Sequence, residues 1–218
     1  MIVLDLDDTL YPERDYARSG LRAAAHRARE LEELPDLEER MLALFDAGQR
    51  GTIFNRALTE TLGAADPLLV EAMVAAYRAH EPEIALFEDA VWALDWAGRS
   101  GPMALLTDGY HQTQMLKVVA LGIVHRFHTI VYTDALGGRD WWKPNPAGFE
   151  HIEKATGGSR LVYVADNPRK DFIAPNHLGW LTVRVLRPEG EYAGELAPEG
   201  GEPQRTIASL RDLPDVLW

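Results

Sequence analysis

Cysteine is absent from this 218-residue chain, which excludes disulfides, thiolate metal sites and thiol nucleophiles. No apolar run approaches the roughly 20 residues that a membrane span needs, and no segment has the pattern of a signal peptide. Positive charge is scarce: 22 Lys and Arg stand against 34 Asp and Glu, for a formal net charge of −12. That field repels a nucleic-acid duplex and an anionic membrane surface, so neither is an expected partner. It also repels phosphate unless a local cation or donor cluster reverses it. Over the surface as a whole the acidic charge serves solubility. Internal repeats and low-complexity tracts are missing as well, and no pattern specifies an oligomeric state. At 46% apolar and 26% charged residues the chain has a globular composition and length enough to bury a full core. Its first strand-like run starts at residue 2 and leaves no room for a targeting segment, so a cytoplasmic location is the default expectation.

That first run, Ile2-Val3-Leu4-Asp5-Leu6-Asp7-Asp8-Thr9-Leu10-Tyr11, leads directly into three carboxylates. A short apolar segment of this kind is the signature of a buried parallel strand. Four further runs resemble it, at 103–106, 129–132, 161–165 and 181–186. Helical patterns flank or separate them at 88–99, 112–121, 147–155 and 171–178, several ending near glycine (Gly122, Gly157, Gly179), where a left-handed cap is expected. Alternation of strands and helices predicts an α/β fold, a parallel sheet with helices on both faces. Residues 13–83 interrupt it with helical patterns alone (16–34, 38–47, 52–62 and 67–80), punctuated by Pro35, Gly48, Gly51 and Gly63. The expected organisation is therefore a core of 1–12 and 84–218 with an inserted all-helical subdomain, 13–83. The segment 187–204, rich in Gly, Pro and Glu, reads as a surface loop. A short closing element follows it, with Ile207, Leu210, Leu213 and Leu217 facing the core.

Open α/β sheets bind ligands at the carboxyl ends of their strands, and four of these five expected strands end in reactive residues. The first ends in Asp5 and Asp7. The second ends in Thr107-Asp108-Gly109, the third is followed by Lys143-Pro144, and the fourth by Asp166-Asn167-Pro168-Arg169-Lys170-Asp171. Clustered carboxylates repel one another, and a hard divalent cation such as Mg²⁺ is the usual reason for assembling them. This set is competent for phosphoryl transfer. Asp5 is an ionised nucleophile able to form an acyl phosphate. Asp7, two residues on, faces the same way on an extended chain and can protonate the leaving oxygen if burial among carboxylates raises its pKa. Thr107 offers a hydroxyl beside backbone amides at a helix start, Lys143 a cation for phosphoryl oxygens and for Asp5. Asp166 would complete a Mg²⁺ shell, and Asp171 would orient Lys143 or a metal-bound water.

The order Asp-x-Asp-x-Thr, Thr-Asp-Gly, Lys-Pro, Asp-Asn-Pro-x-x-Asp resembles the four motifs of the haloacid dehalogenase (HAD) superfamily. The resemblance includes residues 114–123 (QMLKVVALGI), and the helical insertion is similar to the family's C1-type cap. It implies a Rossmann-like HAD core, with Asp5 as nucleophile and Asp7 as acid/base. It also implies that Thr107 and Lys143 bind the substrate phosphate, with Asp108 beside them. Mg²⁺ would be held by Asp5, the Asp7 backbone carbonyl and Asp166. Two positions depart from the family: Asp108 stands where Asn is common, adding negative charge near the phosphate, and Ala165 where Gly is common. The family's dehalogenases lack the second aspartate, so Asp7 points to phosphate chemistry.

The resemblance therefore implies a Mg²⁺-dependent phosphatase acting on a small phosphorylated metabolite, a sugar phosphate or a nucleoside 5'-monophosphate. A phosphomutase or phosphotransferase would use the same scaffold. A response-regulator-like phospho-acceptor would have its acceptor Asp after the third strand and no insertion, and a non-catalytic relative would most simply lack Asp5. Arg14, Tyr11 and Tyr16 are candidates for contacts to substrate, each equally readable as structural; Asn55 and Arg56 are weaker ones. Tyr110 and His111 follow the second motif and would line the entrance. His125 and His128 lack further ligands nearby and read as surface residues. Trp92, Trp96, Trp141 and Trp142 read as packing, although the last two adjoin Lys143.

Overall fold

A computed structural model describes residues 1–32, 34, 37–157 and 160–217. Its sheet has six parallel strands in the order β3-β2-β1-β4-β5-β6. They are β1 (Ile2–Leu4), β2 (Met103–Thr107), β3 (Thr129–Tyr132), β4 (Val162–Ala165), β5 (Leu181–Val185) and β6 (Arg205–Ile207). Every residue of β2 and of β4 is buried, as a strand covered on both faces requires. On one face Val3, Leu106, Val131 and Tyr163 pack with Phe149, Ile152 and Trp180. Phe149 and Ile152 come from α8 (Ala147–Thr156), which ends at Gly157 in the left-handed conformation with φ 62°. The remaining helices of this unit are α5 (Glu88–Ser100), α6 (His111–Ala120), α7 (Asp134–Gly137), α9 (Ile173–His177) and α10 (Leu213–Leu217).

Three features differ from the expectation. β1 stops at Leu4, short of the acids. A sixth strand, β6, pairs parallel with β5. Only one of its three residues, Ile207, is buried, so it carries no periodic signal. The short helix α7 and a 3₁₀ turn at Arg139–Trp141 occupy the span between β3 and Lys143. Leu210, Leu213 and Leu217 are buried with Ile207.

By its internal contacts the chain divides into two compact units, Met1–Glu13 with Ile84–Trp218, and Arg14–Glu83. The second holds α1 (Glu13–Glu32, whose first residue belongs to the first unit), α2 (Leu37–Asp46), α3 (Ile53–Leu62) and α4 (Pro67–Ala79); Pro35, expected to break the chain there, lies outside the described residues. Its core includes Leu21, Ala24 and Ala28 of α1 with Leu37, Met41, Leu58 and Met73. α4 starts by the rules: the Asp66 carboxylate accepts from the Leu68 N–H at 2.9 Å and Pro67 takes the first helical position. α1 and α4 approach so closely at Gly20 that a β-carbon there would lie 2.6 Å from the Tyr77 ring. Beside it the Ser19 hydroxyl meets His80 Nε2 at 2.7 Å. Among the described residues no helix is long and apolar enough to cross a membrane.

Candidate active site

The strand order runs outward from β1 to β3 on one side and from β4 to β6 on the other, so it reverses between β1 and β4. The crevice beyond the carboxyl ends of those two strands is where such sheets bind ligands. Asp5 sits there because its N–H still pairs with the Val164 carbonyl at 2.9 Å, one residue past β1. Asp166 follows β4 directly. Thr107 ends β2, and Lys143 is delivered by the segment after β3.

Lys143 organises this end of the sheet. Three oxygens surround its ammonium: Asp171 Oδ1 at 2.7 Å, Asp5 Oδ1 at 2.8 Å and the Tyr163 hydroxyl at 2.8 Å. Burial opposes its charge, but Asp171 and Asp5 outweigh that and hold its pKa well above the usual lysine value. Asp5 is pushed up to about 7, because burial outweighs the attraction of Lys143 and Asp171 adds repulsion. Asp166 rises well above the usual carboxylate range, through burial and then the charges of Asp171, Asp5, Asp8 and Glu13. Asp171 accepts the Asn167 N–H at 3.0 Å through its second oxygen.

Asp7 belongs to a different group of contacts, which corrects the expectation drawn from an extended chain. Beyond β1 the backbone turns, and Asp8 adopts a φ of 50°, a left-handed value uncommon outside glycine. The Asp8 carboxylate secures that turn by accepting the N–H groups of Glu13 at 2.8 Å and Glu191 at 2.9 Å. Asp7 Oδ1 meets Lys117 Nζ at 2.6 Å and the Tyr11 hydroxyl, and Oδ2 meets Gln114 Nε2 at 2.8 Å. Its pKa is lowered, not raised: burial works against the charge, but Lys117 and three hydrogen bonds overcome it. Gln114 also donates to Thr107 Oγ1 at 2.6 Å, coupling the Asp7 carboxylate to the end of β2.

Asp108 does not stand as a bare extra charge. Its Oδ1 accepts from the Thr133 hydroxyl at 2.8 Å and the Lys143 N–H at 3.0 Å, while Oδ2 meets Lys170 Nζ at 2.7 Å. Sequence reasoning gave no role to Lys117, Gln114, Tyr163, Lys170 or Arg184. Arg184 of β5 donates to the Asp166 carbonyl at 3.1 Å and to the Tyr192 carbonyl at 2.7 Å. The 187–204 segment, expected to be a surface loop, thus contributes contacts at Asp8 and behind Asp166.

The peripheral candidates sort themselves by burial. Tyr11 is wholly buried and bonded to Asp7, so it offers no face to a base or sugar, contrary to one sequence expectation. Tyr16 is buried against Tyr77 and His80. Arg14, Asn55 and Arg56 lie in the 14–83 unit, Arg56 paired with Glu60 at 3.2 Å. Tyr110 and His111 are exposed; the Tyr110 ring meets Trp142 edge-on, and Trp142 Nε1 donates to Asp134 at 3.0 Å. His125 and His128 are exposed, Trp92 and Trp96 stack on each other along α5, and Trp141 is part-exposed without a role in these contacts.

Asp5, Asp166 and Asp171 each present a carboxylate oxygen within 4.8 Å of the others. An all-oxygen, all-anionic donor set suits a hard divalent cation. The acids here (Asp5, Asp7, Asp8, Glu13, Asp166, Asp171) outnumber the nearby Lys117, Lys143 and Lys170, and the pKa values of Asp5 and Asp166 are raised first by burial and then by neighbouring carboxylates. The residues present therefore fit a divalent cation. The Asp7 carboxylate is not part of this cluster.

Residues 1–179 match the family model of the haloacid dehalogenase-like hydrolases. The chain belongs to that family of hydrolases. It is 30% identical over 231 residues to the glyceraldehyde 3-phosphate phosphatase of Methanopyrus kandleri, covering 99% of this chain and 96% of the relative. It is also 32% identical over 185 residues to the phosphoserine phosphatase of Thermus thermophilus, covering 82% and 68%. Among solved structures it is similar to the HAD-hydrolase YfnB of Bacillus subtilis bound to magnesium, with a TM-score of 0.66, 16% identity and 99% and 97% of the two chains covered.

Proposed function

We propose that this protein is a Mg²⁺-dependent phosphatase that hydrolyses a small phosphomonoester through an aspartyl phosphate on Asp5. The observation that carries the reading is the placement of Asp5: a buried carboxylate 2.8 Å from Lys143, beside Asp166 at the sheet's switch point. The names of the phosphatase relatives and the magnesium in YfnB support it.

Asp5 attacks phosphorus, and the ester oxygen leaves as the P–O bond breaks. Lys143 keeps Asp5 oriented and favours its ionised form as it approaches the phosphoryl group. Asp7 exchanges protons with the leaving oxygen and then with the attacking water, which cleaves the acyl phosphate to inorganic phosphate and free Asp5. Lys117, Gln114 and Tyr11 hold Asp7 ionised at rest, so it must gain its proton with the substrate; a phosphomonoester, with its second pKa near 6, can arrive as a monoanion carrying one. Bound Mg²⁺, held by Asp5, Asp166 and the Asp7 backbone carbonyl with Asp171 behind them, would supply positive charge for the phosphoryl oxygens. Thr107 would donate to the same group. The helical insertion, 13–83, takes the part of the family's C1-type cap in leaving-group specificity, and Arg14 and Tyr110 are the foremost candidates for leaving-group contacts.

The test is phosphate release from a panel containing glyceraldehyde 3-phosphate, phosphoserine, sugar phosphates and nucleoside 5'-monophosphates, with Mg²⁺ and with EDTA. Release from one class that EDTA abolishes, and that Asp5→Asn removes while the circular dichroism spectrum is unchanged, is the expected result. Turnover retained in Asp5→Asn overturns the nucleophile assignment.

A further inference from the structure

We propose that Lys170 is a substrate-phosphate ligand, a second cation beside Lys143 that grips the phosphoryl oxygens. The inference rests on the phosphatase reading above. Lys143 is enclosed by three oxygens, and its side chain is 0% exposed. Two of its three N–H donors go to Asp5 and Tyr163, and Asp171 lies against it as an ion pair, so an incoming phosphoryl group meets an ammonium already shared among these oxygens. Lys170 is placed differently. Its side chain is 32% exposed, and among the described residues Asp108 Oδ2, at 2.7 Å, is the one acceptor at its ammonium. Two of its donors remain for an anion.

Its bond to Asp108, whose other oxygen accepts the Lys143 N–H, ties it to the segment that delivers Lys143. Lys143, Asp108, Asp171 and Asp5 all act electrostatically on its charge. Asp108 is fixed by the Thr133 hydroxyl as well. Asp108 then works as a brace, a positioning residue that aims Lys170. A phosphoryl dianion entering a centre crowded with carboxylates needs cationic partners with open donors, and Lys170 supplies them. The competing account is that Lys170 only neutralises Asp108.

A double-mutant comparison separates the two, with calorimetric titration of inorganic phosphate into the Mg²⁺-loaded protein. Lys170→Gln is expected to weaken phosphate binding about 10- to 100-fold, as for a lost charged hydrogen bond, and Lys170→Arg to restore most of it. Asp108→Asn/Lys170→Gln stays weak if Lys170 touches phosphate. Wild-type affinity in Lys170→Gln, or its return in the double variant, overturns the proposal. A wild-type protein that neither binds phosphate nor releases it from any panel substrate overturns the phosphatase reading itself, and this proposal with it. Melting temperatures of the variants confirm that folded protein is titrated.

Discussion

Lys143 and Asp171 form an ion pair at 2.7 Å in which neither side chain has any exposed surface. Two such charges are tolerated because each is what the other needs: alone, either would carry the full cost of desolvation. The pair links the third and fourth sequence motifs and presents the remaining face of Lys143 to Asp5.

Removing one partner is therefore expected to cost both stability and turnover. Lys143→Met leaves Asp5 and Asp171 buried without a countercharge. It should lower unfolding free energy by about 3–5 kcal/mol and reduce turnover by at least about 10³-fold, in the range of lost electrostatic stabilisation of a transition state. Denaturant unfolding and phosphate release measure the two effects. A stable variant with near-normal turnover would remove Lys143 from the centre of this account.

A second network, built on Asp89 and separate in its contacts from the Asp5–Asp166–Asp171 cluster, is expected to govern stability. Asp89 of α5 accepts from Arg187 at 2.8 and 3.0 Å, from the Ser209 hydroxyl at 2.9 Å and from the Leu210 N–H at 2.9 Å. Burial raises its pKa, but the Arg187 bonds and Leu210 lower it further, for a net depression. A carboxyl depressed in the folded state binds fewer protons there, so its contribution is present above the unfolded pKa near 3.9 and is lost as pH falls below it. Asp89→Ala should cost about 2–4 kcal/mol at pH 7 by stranding Arg187, and less at pH 3. An equal loss at both pH values would show that the charge of Asp89 is not what matters.

Much of the core and the acidic centre was legible in the sequence because both follow from local pattern. Apolar runs such as 103–106 and 161–165 mark buried parallel strands, and ligand residues gather at the ends of such strands, so Asp5, Thr107 and Asp166 stand out. The partners of Asp7 were not legible for a physical reason. Lys117 lies 110 positions away, and only the fold brings α6 alongside the turn after β1. A signal did exist: Gln114 and Lys117 share a face of α6 with the buried Val118, and polar residues on a buried face call for a partner. The turn itself escaped notice because Asp8 hides a left-handed backbone that a glycine would have announced. The same holds for 187–204, whose Gly, Pro and Glu content concealed the bonds from the Glu191 N–H to Asp8 and from Arg184 to the Tyr192 carbonyl.

Metal-free protein is expected to be least stable where its acids are ionised. The folded pKa values of Asp5 and Glu13, both raised to about 7 chiefly by burial, exceed their unfolded values. Such groups bind more protons when folded, so their stabilising effect is full below the unfolded pKa near 4 and is lost as pH rises to about 7. In EDTA the melting temperature should therefore fall between pH 5 and pH 8. Added Mg²⁺ should reverse that fall, contributing roughly 2–3 kcal/mol at a hundred times its dissociation constant. Asp166→Asn should raise the metal-free melting temperature by relieving repulsion and should abolish the response to Mg²⁺. A melting temperature indifferent to Mg²⁺ at pH 8 would argue against a cation at these carboxylates.

Lys117 is buried at 3% exposure and contributes the largest opposing effect to the cost of burying Asp7. Replacing it with methionine keeps the aliphatic stem and deletes the charge, so the Asp7 carboxyl must rise in pKa. Asp7 enters ionised and takes its proton from the substrate, so the acid limb of the kcat/KM profile reports the loss of its ionised form in the free enzyme. That limb should move to higher pH in Lys117→Met, by about a unit or more for the loss of a contact ion pair, while Lys117→Arg should hold it near the wild-type position. Mg²⁺ affinity, measured by calorimetry, should change little, because the Asp7 carboxylate lies outside the Asp5–Asp166–Asp171 cluster. If the limb stays in place while Mg²⁺ affinity collapses, Lys117 acts on the metal site, and Asp7 is not the proton-transfer group that its contacts make it.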